Sequence, residues 1–389
     1  MTELSAIDAE RRAIEGDVEV AEKEAGSLKR DERVLRTPLV TKFLRRPELG
    51  AISGLVLVTG FFLAVANPAM FTAAGIMNVM APASQLGIVA IGASLLMIAG
   101  EFDLSVGSMI AFAGFILGVG LTVLGLPLPL AILMTFGTAS VIGVVNAQIT
   151  LRTGLPSFIV TLASLFILRG LSLVGLKWAT GGATQLRGLR EAAGDSYFLD
   201  FFSGVAFRDF FAWLAAHDLL SKFDSGAPKV AGVPVSIIWF IALAVAATVV
   251  LLRTRLGNWI FASGGDANAA RRSGVPVDRV KTGLFVTTAC CATLVAVLTA
   301  LEAGSTDALR GSQKEFEAII AAVIGGCLLT GGYGSAIGAF LGAIIFGMVL
   351  IGLSYTGIDQ DWYLVFLGGM LLMAVVFNSV VRRRVTGER

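Results

Sequence analysis

Two stretches of this chain, Leu104 to Leu151 and Ala318 to Ile358, contain no Asp, Glu, Lys or Arg. A membrane-crossing helix needs about 20 consecutive apolar residues, so each stretch is too long for one crossing and must hold two. Pro127 and Pro129 divide the first, and Gly331, Gly332 and Gly334 divide the second, because both residue types punctuate helices. The chain is 56% hydrophobic and 15% charged, against roughly half and a quarter in a soluble domain. That balance excludes an ordinary soluble globule. The pattern predicts an all-α polytopic membrane protein of about 10 transmembrane helices, at 49–66, 75–100, 104–124, 127–151, 155–176, 232–252, 282–302, 317–332, 334–354 and 361–381.

Residues 1–47 are polar, alternate in charge from Glu15 to Arg36, end in Lys42, Arg45 and Arg46, and lack the apolar core of a cleavable signal peptide. They read as a retained cytoplasmic tail. Counting from an inside start, the inward connections carry Arg152, then Arg253, Arg255, Arg271, Arg272, Arg279 and Lys281, then Arg382, Arg383 and Arg384. The outward connections 67–74, 125–126 and 355–360 carry no Lys or Arg, as the positive-inside rule requires. Basic residues on the outer side are confined to the neighbourhood of Arg310 and to the long segment 177–231, and long segments determine topology poorly. The expected organisation is a transmembrane domain over 48–381, an inward loop at 253–280 and a basic cytoplasmic C-terminus at 382–389, with both ends inside.

The 30 basic and 28 acidic residues leave a net charge of +2, which gives no footprint for nucleic acid. Cys290, Cys291 and Cys327 all fall inside expected spans and read as small apolar core residues. His217 is the single histidine and cannot build a metal centre alone, so no metal site is expected. In the outward segment, Phe201, Phe202, Val205, Phe210, Trp213 and Leu214 recur at helix-like spacing with Arg208, Asp209 and Asp218 between them. This spacing predicts an amphipathic helix, lying either in the membrane interface or over the outer mouth as a lid.

Three places interrupt the apolar pattern. In Gly100 to Ser108, Glu101 and Asp103 stand between apolar runs with no basic neighbour in sequence. Carboxylates at a membrane edge are costly and tend to have a task. Asp103 stands where an N-cap belongs for the next span, and a place on a transport path is the competing reading. Ser105, Asn146, Ser157 and Thr161 are further candidates for lining or gating such a path, since a neutral polyol needs uncharged donors and acceptors. Second, Gly264, Gly265, Asp266, Asn268, Ala270, Arg271, Arg272, Ser273 and Gly274 read as a glycine break, an Asp N-cap, a short helix and a Gly stop with Pro276 beyond. A compact helix on the inner face with two terminal arginines suits docking to a soluble partner, and equally a positive-inside anchor. Third, Gly325, Gly326, Gly331, Gly332 and Gly334 form a small-residue lane of the kind that lets transmembrane helices pack closely. No Gly-Lys pair occurs in the chain, so it holds no phosphate-binding loop of the P-loop type.

At these positions the sequence resembles the membrane permease subunits of bacterial ABC importers for monosaccharides, the ribose and xylose type. The likeness is carried by Glu101-Phe102-Asp103-Leu104-Ser105-Val106-Gly107-Ser108 and by Leu155-Pro156-Ser157-Phe158-Ile159-Val160-Thr161-Leu162 with Arg169-Gly170. It continues through Gly264 to Val275, and through Ala321 to Gly326 with Gly331 to Ser335, so it runs from about residue 75 to 381. The long tail, the 177–231 insertion and Leu126 to Leu130 look closer to xylose permeases. The resemblance implies a non-catalytic, homodimeric permease in the bacterial inner membrane. It would receive sugar from a periplasmic binding protein and be driven by a separate cytoplasmic ATPase that holds the ATP and Mg, so this chain needs no cofactor. Gly264 to Gly274 would then be the coupling helix seated in a cleft of that ATPase. Xylose or a similar pentose or hexose is the expected cargo, with a polyol, a furanone-type signal or a branched-chain amino acid as alternatives. An ion-coupled secondary transporter would need coupling acids deep in its spans, and an intramembrane enzyme would need clustered His, Asp or Ser/Lys groups.

Overall fold

The computed structural model describes residues 48–195, 197–223 and 227–386. The expected tail, 1–47, and the last residues of the expected basic C-terminus, 387–389, lie outside the described residues. Eight helices among those described are long and apolar enough to cross a membrane. They are α1 (Glu48–Val65), α2 (Ala73–Ile98), α3 (Val106–Gly118, continued to Val123 by a π-turn), α4 (Leu128–Thr153), α5 (Ser157–Thr180), α9 (Val235–Arg253), α12 (Val277–Ala303) and α14 (Ala336–Thr356). The outer insertion holds α6 (Leu189–Ala193), α7 (Tyr197–Ser203) and α8 (Arg208–Ala216), and the inward loop holds α10 (Arg255–Gly265) and α11 (Ala267–Arg272). Two further helices are α13 (Lys314–Ile324) and α15 (Trp362–Thr386), the latter apolar from Trp362 to Met373. The all-α polytopic class is therefore observed.

Two helices form the centre. In α2, 83% of the apolar window is buried, and in α12 78%, against 11% for α1, which lies at the periphery. α2 packs on α9, α12, α13 and α14, while α12 also takes α3 and α4. These contacts depend on glycine at the crossing points, because without a hydrophobic drive inside lipid, helices associate by close packing. A Cβ on Gly143 of α4 would press on the backbone of Phe285 and Val286, and one on Gly87 would collide with the Phe240 ring. Phe240 is fully buried and stacks on Phe340 with ring centroids 4.4 Å apart.

Two expectations are corrected. The span expected at 317–332 is instead the 11-residue α13, followed by irregular chain through Tyr333 and Gly334. At 1.5 Å per residue it rises roughly 16 Å, about half the hydrocarbon core. The helix stops because Gly326, Gly331 and Gly332 take φ of +91°, +79° and +74°, a left-handed region open to glycine. Gly331, Gly332 and Gly334 are accordingly loop residues, whereas Gly325 does pack on the backbone of Gly338.

The amphipathic stretch expected over 201–214 is two helices, not one. Gly204 donates to the Asp200 carbonyl (2.9 Å) to close α7, and β2 (Val205–Ala206) then pairs antiparallel with β3 (Val233–Pro234) before α8 begins. Phe201 and Phe202 flank Trp239 of α9 at 5.2 and 5.9 Å, and the Trp239 indole N–H donates to the Phe201 carbonyl (3.3 Å). Phe210 and Trp213 of α8 remain exposed. A second pairing, β1 (Gln185–Arg187) with β4 (Ser305–Asp307), fastens the insertion to the segment after α12.

This packing predicts a contrast between neighbours. Phe240→Ala should lower the stability of the solubilised protein by about 3 kcal/mol, as a large buried ring lost from a core does, and Ile241→Ala, at 47% exposure, should change it little. Equal shifts in thermal unfolding for the two variants would contradict the assignment of Phe240 to the helix contact.

Candidate functional site

Between α2 and α3 the chain is not helical, and this segment, Ala99 to Ser105, is where the polar residues gather. Backbone donors that leave a helix at membrane depth must find partners inside the protein. They do so here on side chains of α5. The Phe102 N–H donates to Ser157 Oγ (3.0 Å) and the Leu104 N–H to Thr161 Oγ1 (3.0 Å). The Ser105 N–H donates to Asp103 Oδ1 (2.9 Å), and the Ser105 hydroxyl donates to the same oxygen (2.5 Å). Thr288 of α12 donates to Asp103 Oδ2 (2.7 Å). From Ser105 the network continues: Asn146 Nδ2 donates to its Oγ (3.3 Å), and Ser164 Oγ donates to Asn146 Oδ1 (2.5 Å).

Asp103, Ser105, Asn146, Ser157 and Thr161, from three separate stretches of the sequence, are thus brought together, with Glu101 in the same segment as Asp103. Asp103, Ser105, Asn146, Ser157 and Thr161 are buried and form a hydrogen-bonded plug joining α3, α4, α5 and α12. Asp103 is not the N-cap of α3. Ser105 holds that position, and Asp103 sits two residues earlier, where its carboxylate closes a turn on the Ser105 N–H. Its partner Thr288 stands roughly 16 Å of helical rise beyond Val277, the start of α12. Glu101 lies nearer that end and pairs with Lys281 Nζ at 2.5 Å, both side chains being mostly buried at 13% and 10% exposure.

The inward loop meets the same segment. Asp266 caps α11 as its sequence indicates, accepting from the N–H groups of Asn268 (2.9 Å) and Ala269 (3.0 Å). Ser273 follows the helix and Gly274 turns the chain at φ +84°. Ala270 is buried beneath the helix, whereas Asn268, Arg271, Arg272, Ser273 and Gly274 are exposed. Arg271 pairs with Asp278 (2.7 Å), and Arg272 has no ion-pair partner among the described residues. On the other flank of α11, Gly264 is wedged into the protein: a Cβ there would collide with the Ile98 carbonyl and press on the Gly332 N–H. That same carbonyl accepts from Gly332 N–H at 2.8 Å, and a Cβ on Gly331 would meet Gly100. Three backbones, at Ile98 to Gly100, Gly264 to Gly265 and Gly331 to Gly332, therefore cross with no side chain between them.

Lys281 is the functional residue that sequence reasoning missed. It reads there as one more positive-inside charge, and nothing local ties it to an acid 180 positions away. A second overlooked feature is the segment after β4, where Arg169 of α5 donates to the Ala308 carbonyl (3.0 Å) and Glu315 is buried under Gly107. Among the described residues no group of three His, Cys, Asp or Glu side chains could hold a metal ion.

A family described as the permease component of branched-chain amino acid transport systems matches residues 75–375, a range that contains every residue of the network just described. The xylose transport system permease protein of Escherichia coli is 29% identical over 364 residues, covering 86% of this chain and 92% of the relative. The ribose import permease protein of the same organism is 29% identical over 341 residues, covering 87% and 95%. The autoinducer 2 import system permease protein of Salmonella paratyphi B is 29% identical over 299 residues, covering 77% and 81%. No solved structure matches the chain.

Removing one member of a mostly buried ion pair leaves the other charge without compensation. Lys281→Met alone should therefore destabilise the protein by about 3 kcal/mol, and adding Glu101→Gln should recover most of that loss. Additive losses in the double variant, read by thermal unfolding, would show that the two side chains do not act as a pair.

Proposed function

The chain belongs to the family of branched-chain amino acid transport system permease components, and from that premise we propose that it is the membrane-spanning subunit of an ATP-driven importer that carries a monosaccharide, xylose or a similar pentose or hexose, inward. It is a multi-pass protein of the bacterial inner membrane. Relatives named for xylose, ribose and autoinducer 2 transport support a sugar-like cargo.

The observation that carries the mechanism is the attachment of α11 at both of its ends to the chain between α2 and α3. On one side Gly264 abuts Ile98, and on the other α12 begins and places Lys281 on Glu101. A soluble ATPase that grips α11 on the inner face would displace Gly264 and the first turns of α12 together. Both displacements act on the segment from Ile98 to Ser105, which carries Asp103 and starts α3. Moving it withdraws the Ser157, Thr161 and Thr288 hydroxyls from their partners and opens the plug inward. The exchange is reversible because hydroxyls and an amide rotate to water or to a sugar, and water admitted on opening replaces the Thr288 hydroxyl at the Asp103 carboxylate.

In this scheme the chain has no catalytic residue and no cofactor of its own. ATP and Mg bind the partner ATPase, a periplasmic binding protein delivers the sugar, and a second copy of the permease completes the path. An ion-coupled carrier is the weaker reading, because the two carboxylates of the segment between α2 and α3 are already engaged, Glu101 by Lys281 and Asp103 by three hydrogen bonds.

Two outcomes test this reading. In proteoliposomes with the cognate ATPase and binding protein, uptake of labelled xylose or another monosaccharide should require both partners and ATP, and uptake by this chain alone under an ion gradient would overturn the proposal. Arg272→Glu, which reverses an exposed charge with no ion-pair partner among the described residues, should lower sugar-stimulated ATP hydrolysis while membrane insertion and thermal stability stay unchanged. Unaltered coupling in that variant would remove α11 from the ATPase contact.

A further inference from the structure

On the half of the bundle away from α11, a cavity of about 500 Å³ opens between α2, α3, the end of α12 and the chain leading into α13. Its volume lies within the roughly 300–1,000 Å³ of small-molecule sites. Ile110 and Val295 line its apolar sides, and Gln85, Thr299 and Glu302 bring polar groups to it. Thr299 stands roughly 16 Å of helical rise beyond Thr288, so cavity and plug occupy opposite halves of α12. A second cavity of about 460 Å³, lined by Arg187, Arg190 and Glu191 among others, shares Glu302 and Ala303 with the first.

The state of the polar groups selects the ligand. Gln85 projects from the most buried helix of the bundle, and its side-chain amide has no protein partner among the described residues. Gln85 is partly exposed to the cavity, so water or a ligand hydroxyl completes its amide. Thr299 donates its hydroxyl to the Val295 carbonyl (2.8 Å) and keeps its lone pairs for a donor. Glu302 has no ion-pair partner among the described residues. The two cations on the rim are already engaged, Arg310 by Asp307 (3.3 Å) and Lys314 by Glu317 (2.5 Å). Arg310 and Lys314 keep further N–H donors beyond these pairs, so the lining offers both donors and acceptors. A ligand rich in hydroxyls, each of which donates and accepts, suits that set, whereas the carboxylate of an amino acid would have to share a cation already paired with Asp307 or Glu317.

We infer that this cavity is a binding site for a free neutral monosaccharide, in which Gln85, Thr299 and Glu302 accept its hydroxyl hydrogens before the Asp103 plug opens. The assignment of the cavity to the outer face, and of sugar as the cargo, rests on the function proposed above. Binding here is transient by construction, since a carrier must release what it takes.

The test is accessibility in spheroplasts. In a Cys290→Ala background, with Cys291 and Cys327 buried, Gln85→Cys should react with a membrane-impermeant thiol reagent added outside, and Thr288→Cys, behind the plug, should not. Saturating xylose, ribose or fructose should slow modification at position 85 severalfold, and leucine should leave it unchanged. Thr299→Cys provides a second reporter if Gln85→Cys fails to accumulate. No modification at either position would show that the cavity does not open outward, and modification that no monosaccharide slows would show that it is not a sugar site. Protection by leucine alone would overturn the sugar as cargo while leaving the cavity as the site, which separates failure of this inference from failure of the functional reading.

Discussion

A peptide group inside a bilayer has no water to turn to, and that single constraint shapes this protein. Between α2 and α3 the chain leaves the helix against its neighbouring helices, where it is partly or wholly buried, so the donors released there must be met from within. Ser157 and Thr161 meet two of them from α5, and Asp103 meets a third from its own segment. The close fit of α3 to α5 and α12 follows from those bonds, since each hydroxyl must stand within hydrogen-bond reach of a particular N–H. A continuous helix would need none of this apparatus. It would also have nothing to rearrange.

The two kinds of junction in the bundle suit two different tasks. Where Ile98, Gly264 and Gly332 cross, bare backbones touch and a 2.8 Å hydrogen bond joins two of the three, so displacement of one chain is passed to the others without side-chain slack. Higher up, the plug is made of hydroxyls, an amide and one carboxylate, groups that exchange partners by rotation about single bonds. In the proposed scheme a stiff transmission would feed a compliant gate. The Glu101–Lys281 pair stands between them and fixes the start of α12 to the same segment.

Much of this was legible in the sequence. The charge-free runs and the Lys and Arg distribution marked the helices, and Asp266, Gly274 and Pro276 marked the short helix on the inner face, because these signals are local. The residues of the plug were also visible one by one, as polar interruptions of apolar segments. Their convergence was not, since Asp103 and Thr288 are 185 positions apart. Lys281 was masked by a rule that reads every flanking cation as a topology signal. The expected span at 317–332 failed for a related reason: hydropathy counts apolar residues but does not see that Gly326, Gly331 and Gly332 adopt backbone angles no helix can use. The amphipathic pattern over 201–214 was likewise real in spacing and divided in space, because β2 needed two of its residues for pairing with β3.

The shortness of α13 reaches back to how the protein is made. With 11 residues, and with Lys314, Glu315 and Glu317 in its first turn, it is too brief and too polar to enter a bilayer as an independent span. Its flanking helices α12 and α14 can insert on their own hydropathy, and α13 has to be drawn in between them. The groove that receives it, formed by α2 and α14, exists only after both are in place, and Gly342 keeps that groove open by leaving room for the Ala321 backbone. The order of assembly is therefore written into the lengths of the helices: the long ones enter the lipid first, and the half-length one completes the interior last.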